Sequence, residues 1–271
     1  MLELPLELEC QIFELAFKPN SRNIQLKVTL CLVARRVQVW IDRIFHGLVA
    51  IRDDRGGQRF LSLIRSNSKP ADFFRVVKTL SLAYSLDGGT AGNILAVCPN
   101  VQSLTCWVAS SVASRKLPLL ISRLPLQRLS IQVSHFSRIP ATLSETWLSS
   151  LTHLDLYVDT RPPPQLSQLL THLAHLSHIC LSSAIVRAAM EYVEMVCSSR
   201  PRFQVLIVPC HATLVSWVEA ILPPTAKDDD RVVVQAIPQD VREDWAYVGH
   251  SDMWSLAEAS VKLRKNSVGQ E

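Results

Sequence analysis

The chain has 271 residues, a length that fits one large domain or two modest ones. Lys and Arg number 28 against 24 for Asp and Glu, a scattered balance of +4 that argues against nucleic acid or an anionic membrane surface as partner. With 48% hydrophobic and 19% charged residues, disorder is excluded over most of the length, and no run of about 18 apolar residues offers a membrane span.

The first ten residues place Glu3, Glu7 and Glu9 where a secretory signal needs basic and then uninterrupted apolar residues. Two or three amphipathic helices are expected over residues 1–46. Leu4-Pro5, followed by Glu7 and Glu9, is a good helix start, because proline fits the first turn and acids complement the positive end of the helix dipole. Leu8, Ile12 and Leu15 then line one face, and Lys18-Pro19-Asn20 stops the helix. A second segment carries Leu30, Val33, Val37, Ile41 and Ile44 at helical spacing. Leu4, Pro5, Leu6 and Phe13 add apolar groups beyond the single stripe that a simple packing face requires.

From Val77 a fixed beat begins. Val77-Lys-Thr-Leu80-Ser-Leu82 has the form apolar-x-x-apolar-x-apolar, and it recurs from Val101, Leu126, Leu151, Leu176 and Phe203 at intervals of 24 to 27 residues. Helix-like stretches lie between, over residues 90–98, 115–123, 143–149, 165–174, 185–198 and 212–222. Each interval is one strand–helix unit, which cannot bury its own apolar face and must stack on its neighbours. The pattern resembles the leucine-rich repeat, although the Asn/Cys position of that repeat holds Ser85, Ala109, Ser134, Asp159, Ala184 and His211. The fold expected is an α/β solenoid: an irregular leucine-rich-repeat-like array over residues 47–222, with a C-terminal cap over 223–264 and a frayed tail over 265–271.

Side chains alternate across a strand, so the leucines face inward and the residues between them form outward rows. The middle of those rows holds Trp107, Arg128, Gln132, His153, Asp155, Tyr157 and His178, and aromatics and arginine are the residue types that carry protein–protein hot spots. These seven are the expected target-binding surface. Toward the C-terminus, Val232-Val-Val234 adds one more strand and residues 251–263 a final helix that closes the array.

The chain contains no phosphate-loop, H-E-x-x-H or G-x-S-x-G motif, and Gly88-Gly89-Thr-Ala-Gly92 is spaced for a strand-to-helix turn. Seven dispersed cysteines without a C-x-x-C pair predict neither a disulfide framework nor a compact zinc site, and point to the cytoplasm or the nucleus. The outward group His153, Asp155, His178 and Cys180 is the one constellation able to hold a metal or activate a thiol. On an open sheet without an oxyanion hole it reads as a polar strip. No catalytic residue, metal or cofactor is therefore expected.

The N-terminal residues carry a second resemblance. Leu4-Pro5-x-Glu7-Leu8-x-x-x-Ile12-Phe13, followed by Leu32-Val33-Ala34-Arg35-Arg36 and Trp40, is similar to the two halves of an F-box, with Val37 in place of the usual first aromatic of the second half. An F-box followed by leucine-rich-repeat-like units resembles a family abundant in mushroom-forming fungi, including its tryptophan-bearing C-terminal stretch, here Asp244-Trp245 to Met253-Trp254. The resemblance implies a non-enzymatic adaptor, the substrate-recognition subunit of a Skp–cullin–F-box-type ubiquitin ligase. It implies that Leu4, Pro5, Glu7, Leu8, Ile12, Phe13, Val33, Arg36 and Trp40 bind the Skp-type adaptor protein, and through it a cullin, while the repeat surface holds an unidentified protein target. The alternative is a protein-interaction scaffold with an F-box-like cap and no role in ubiquitin transfer.

Overall fold

The computed structural model describes residues 4–17, 23–66, 73–109, 113–139, 145–183, 185–199, 203–236 and 250–268. Three helices come first: α1 (Leu6–Phe17), α2 (Ile24–Cys31) and α3 (Arg35–Gly47). Strands and helices then alternate. β1 (Leu48–Ile51) leads to α4 (Asp54–Arg65), β2 (Thr79–Leu82) to α5 (Gly88–Val97), and β3 (Ser103–Cys106) to α6 (Leu117–Ile121). After β4 (Arg128–Gln132) come α7 (Val133–Phe136) and α8 (Glu145–Ser150), and β5 (His153–Val158) is followed by α9 (Gln165–His172). β6 (His178–Ser183), α10 (Val186–Ser199) and β7 (Val205–Cys210) precede α11 (Val215–Ile221) and α12 (Pro224–Lys227), then β8 (Val232–Ala236) and the long α13 (His250–Val268).

All eight strands form one parallel sheet in sequence order, β1 through β8. The inward leucines set its register: Leu80, Leu104, Leu129, Leu154, Ile179 and Leu206 are partners on successive strands. With Leu82, Ile131, Leu156 and Leu181 they form one face of a continuous apolar core, and α4 through α12 supply the other with residues such as Ile94, Ile121, Phe136, Trp147, Leu170 and Val193. Each parallel connection needs a crossover that returns the chain to the same edge, and a helix on one face does so with its backbone hydrogen bonds made internally. Asp87 illustrates the local chemistry. Its carboxylate accepts hydrogen bonds from the backbone N–H of Gly89 and Thr90 at 2.9 and 3.0 Å, capping the first turn of α5.

This architecture corrects the expectation of a leucine-rich-repeat-like solenoid preceded by an F-box helical cap. The fold is a single all-parallel α/β sheet alternating with helices. It takes in β1 before the first sequence repeat and β8 within the segment assigned to a C-terminal cap. The helical segment runs directly into the sheet, since α3 ends at Gly47 and β1 starts at Leu48. The 25-residue beat is real. It specifies strand pairing, which any strand–helix unit laid down in sequence order satisfies, but not a uniform turn or convex side. The connecting helices accordingly run from 4 residues in α7 to 14 in α10.

The second face of the sheet is not open along its whole length. α13 lies across it, and Met253, Trp254, Ala257 and Val261 make a separate buried cluster with Cys180, Val205, Ile207 and Val233 of β6, β7 and β8. Parallel sheets are characteristically covered on both faces, and among the described residues α13 covers the second face over β6, β7 and β8. α13 continues to Val268, so residues 265–268, expected as frayed tail, are helical. No helix among the described residues is long and apolar enough to cross a membrane.

Candidate functional site

Two regions hold the residues singled out by sequence. In the N-terminal helices a small core of Phe17, Val37 and Ile41, with Phe13, Trp40 and Ile44 packed around it, joins α1 to α3 and is distinct from the sheet core. Phe13 and Trp40 approach with ring centroids 6.4 Å apart. Both were expected to dock on or support the adaptor site, and both are half-buried between the helices. Arg36 likewise reaches back to α1, where its Nε and Nη2 donate to the Glu9 carboxylate at 3.0 to 3.2 Å. Lys27 pairs with Asp42 at 2.9 Å and lies 3.7 Å over the Phe45 ring, which fixes α2 on α3.

The outward face of these helices is apolar. Among the described residues, ten of the seventeen exposed large hydrophobics lie between residues 4 and 39: Leu4, Leu6, Leu8, Ile12, Leu15, Ile24, Val28, Leu32, Val33 and Val39. Leu8, Ile12 and Leu15, which could have formed the packing stripe of α1, are instead 47%, 55% and 70% exposed. Pro5 and Glu7 flank them at the surface. The expected adaptor residues therefore separate: Leu4, Pro5, Glu7, Leu8, Ile12, Val33 and Arg36 are exposed, while Phe13 and Trp40 pack behind them. Sequence reasoning missed the contribution of α2. Ile24, Val28 and Leu32 recur every fourth residue, a spacing that sets them on one helix face, and they edge a groove of about 400 Å³ completed by Cys31, Gln38 and Phe45. The stopping signal Lys18-Pro19-Asn20 lies outside the described residues.

On the sheet, the outward rows fall into the expected register, with Arg128, His153 and His178 paired in line, Ser130, Asp155 and Cys180 in the next line, and Gln132 beside Tyr157. Their exposure is not uniform. Arg128 is exposed and Trp107, His153 and Tyr157 are half-buried, whereas Gln132, Asp155 and His178 are 5%, 2% and 6% exposed. Trp107 and Tyr157, with centroids 6.2 Å apart, flank a hydrogen-bond chain that crosses three strands. The Trp107 indole N–H donates to Ser130 Oγ at 2.8 Å, Ser130 donates to Asp155 Oδ2 at 2.5 Å, and Ser182 donates to Asp155 Oδ1 at 2.9 Å. Burial pushes the Asp155 carboxyl up to about 6 against the pull of its serine donors.

His153 and His178 stack with centroids 4.3 Å apart and planes 11° from parallel, and Trp254 of α13 stands edge-on to both. Burial pushes the His153 imidazole down to about 3, helped by the neighbouring His178 and Arg128. Burial also lowers His178, against the opposing pull of Glu258. The four residues able to hold a metal or activate a thiol are thus adjacent, but they are committed elsewhere. No group of three or more His, Cys, Asp or Glu suited to a metal occurs among the described residues. The Cys180 thiol is pushed well up by burial and the Asp155 charge, the reverse of what a nucleophile needs. Asp244 and Trp245, the first part of the tryptophan-bearing stretch, lie outside the described residues.

No protein-family model matches the chain, and no curated protein matches it.

Proposed function

We propose that this chain is a target-recognition adaptor of a Skp–cullin–F-box-type ubiquitin ligase. The outward apolar face of α1 and α2 docks the Skp-type adaptor protein, and the outward sheet face around Trp107, Arg128 and Tyr157 receives a protein target. The observation that carries the reading is the concentration of exposed large apolar side chains in residues 4–39. A patch of this kind marks a protein interface rather than an ordinary solvated surface. It coincides with Leu4, Pro5, Leu8, Ile12 and Val33, the positions through which the sequence resembles an F-box.

Among the described residues the strands follow sequence order without reversal, so the sheet lacks a switch point of the kind at which doubly wound sheets hold cofactors. The adaptor role works by proximity, since tethering a target raises its local concentration beside a ubiquitin-charged enzyme on another subunit. The compartment consistent with this role is the cytoplasm or the nucleus.

The test is reconstitution. Purified full-length chain mixed with a Skp-type adaptor elutes from gel filtration as a one-to-one complex if the reading holds. Separate elution at concentrations well above micromolar rejects it. Complex formation without ubiquitin transfer to any captured partner would support the scaffold role instead.

A further inference from the structure

We propose that α13 is a detachable strap: it occupies the His153–His178 end of the target face from within the same chain, and a target displaces it with an amphipathic helix of matching chemistry. The inference rests on the reading of the outward sheet face as the target site, and deepens it by naming the kind of segment that fits.

The argument begins with what lies on each side of the sheet. The face under α4 to α12 is continuously apolar, from Leu80 to Leu206. The face under α13 is mixed: Val205, Ile207 and Val233 are apolar, but His178 shares a row with Val205 and Asp155 a row with Ile207. A polar group taken out of water gains little beyond what its hydrogen bonds return, so α13 is held more weakly per unit of buried surface than the helices opposite. Elements so held open first, below the threshold of global unfolding. α13 also carries apolar residues on a second side, with Leu256 and Leu263 61% and 70% exposed.

α13 shows what the face accepts. Trp254 sets its ring edge against the two stacked imidazoles, and Glu258, one turn later, accepts a hydrogen bond from His178 Nε2 at 2.8 Å. Between them Ala257 is fully buried, so the helix backbone comes close to the sheet. The ligand class follows: a helical segment with an aromatic residue, a small residue three positions on and a carboxylate four positions on. His178, expected at the target surface, becomes available only when α13 leaves.

Two cysteines on opposite faces of the sheet report the opening. Cys180 belongs to the cluster that α13 closes, and Cys106 to the core under the other helices; both are fully buried. In the full-length protein, Cys180 should react with a small thiol reagent at least roughly tenfold faster than Cys106, because a local opening is enough to expose it. Ala257→Arg, which places a long charged side chain at the closest contact, should speed Cys180 further with Cys106 unchanged. A labelled peptide of residues 250–268 should bind that variant at least roughly tenfold more tightly than wild type. Equal labelling rates for the two cysteines in wild type would overturn the proposal, and so would equal peptide binding by a variant whose Cys180 is released. If Ala257→Arg unfolds the sheet, seen as rapid labelling of Cys106, Trp254→Ala is judged by the same two criteria. Neither result bears on complex formation with the Skp-type adaptor, so failure of the strap and failure of the adaptor assignment are read separately.

Discussion

His178 on β6 and Glu258 on α13, eighty residues apart in the chain, meet through a 2.8 Å contact between Nε2 and Oε1. The histidine side chain is 7% exposed and the glutamate 54%, so the pair sits at the rim of the strap. A rim pair with one well-solvated partner contributes at most about 1 kcal/mol. Glu258→Gln is therefore expected to leave the global melting temperature almost unchanged while increasing amide exchange across residues 253–261.

The same substitution has a pH signature. Burial lowers the folded-state pKa of His178 and Glu258 opposes that shift. Because the folded pKa is depressed below the unfolded value near 6.5, stability falls as pH drops below 6.5, where the unfolded chain takes up the proton first. Removing Glu258 deepens the depression. NMR titration of the His178 ring in Glu258→Gln should show a lower midpoint than wild type, and an unchanged midpoint would count against the pairing.

Asp155 gives the opposite sign. Its folded pKa is raised from 3.8 to about 6, so its contribution is fully favourable below 3.8 and is lost as pH rises through 6. At neutral pH the buried carboxylate costs at most about 3 kcal/mol, at 1.36 kcal/mol for each unit. Asp155→Asn keeps the shape and can still accept from one of the two serines. It should raise stability in denaturant titrations at pH 8, with a gain that shrinks through pH 6 and vanishes below about pH 4. A gain independent of pH would show that the carboxyl titrates alike in the folded and unfolded chain, and that burial does not raise it.

Two glycines of α5 separate close packing from helix propensity. A Cβ on Gly88 would lie 2.6 Å from the Ser114 backbone nitrogen, whereas one on Gly92 would meet the Leu120 and Leu117 side chains at 3.6 and 3.9 Å, ordinary contact distances. Gly88→Ala should therefore destabilise by roughly 1–3 kcal/mol, because a backbone neighbour cannot give way. Gly92→Ala should stabilise by up to about 1 kcal/mol, the helix-propensity difference. Thermal melts of the two variants displaced in the same direction would contradict the packing of α5 on the turn before α6.

The strands were legible because their signal is local and repeated. Leu80, Leu104, Leu129, Leu154 and Ile179 recur at nearly constant spacing, and each row fixes its own register with the next. The overall form was misjudged because that spacing says nothing about what covers the outward face. α13 gives little warning of its docking: Met253, Trp254, Ala257 and Val261 form its buried side, but Leu256 and Leu263 blur the amphipathic pattern. Gln132, Asp155 and His178 lie in the rows that their spacing predicts but are buried, His178 against Trp254 and Glu258 of α13, contacts that no periodicity encodes. In the N-terminal helices the composition marked a surplus of apolar groups. Phe13 and Phe17 of α1 turn inward onto Val37 and Ile41, and Leu8, Ile12 and Leu15 are left outside.

The central claim is that exposed leucine and isoleucine side chains on α1 grip a Skp-type adaptor, and one titration addresses it directly. Leu8→Asp with Ile12→Asp alters two side chains that are 47% and 55% exposed, so folding stability should stay within about 0.5 kcal/mol of wild type. Leu256→Asp with Leu263→Asp, two exposed leucines of α13, makes the same chemical change far along the chain and serves as control. Calorimetric titration with the purified adaptor should show binding weakened at least roughly a hundredfold for the α1 pair and retained for the α13 pair. Undiminished binding by a folded Leu8→Asp, Ile12→Asp chain would contradict the account.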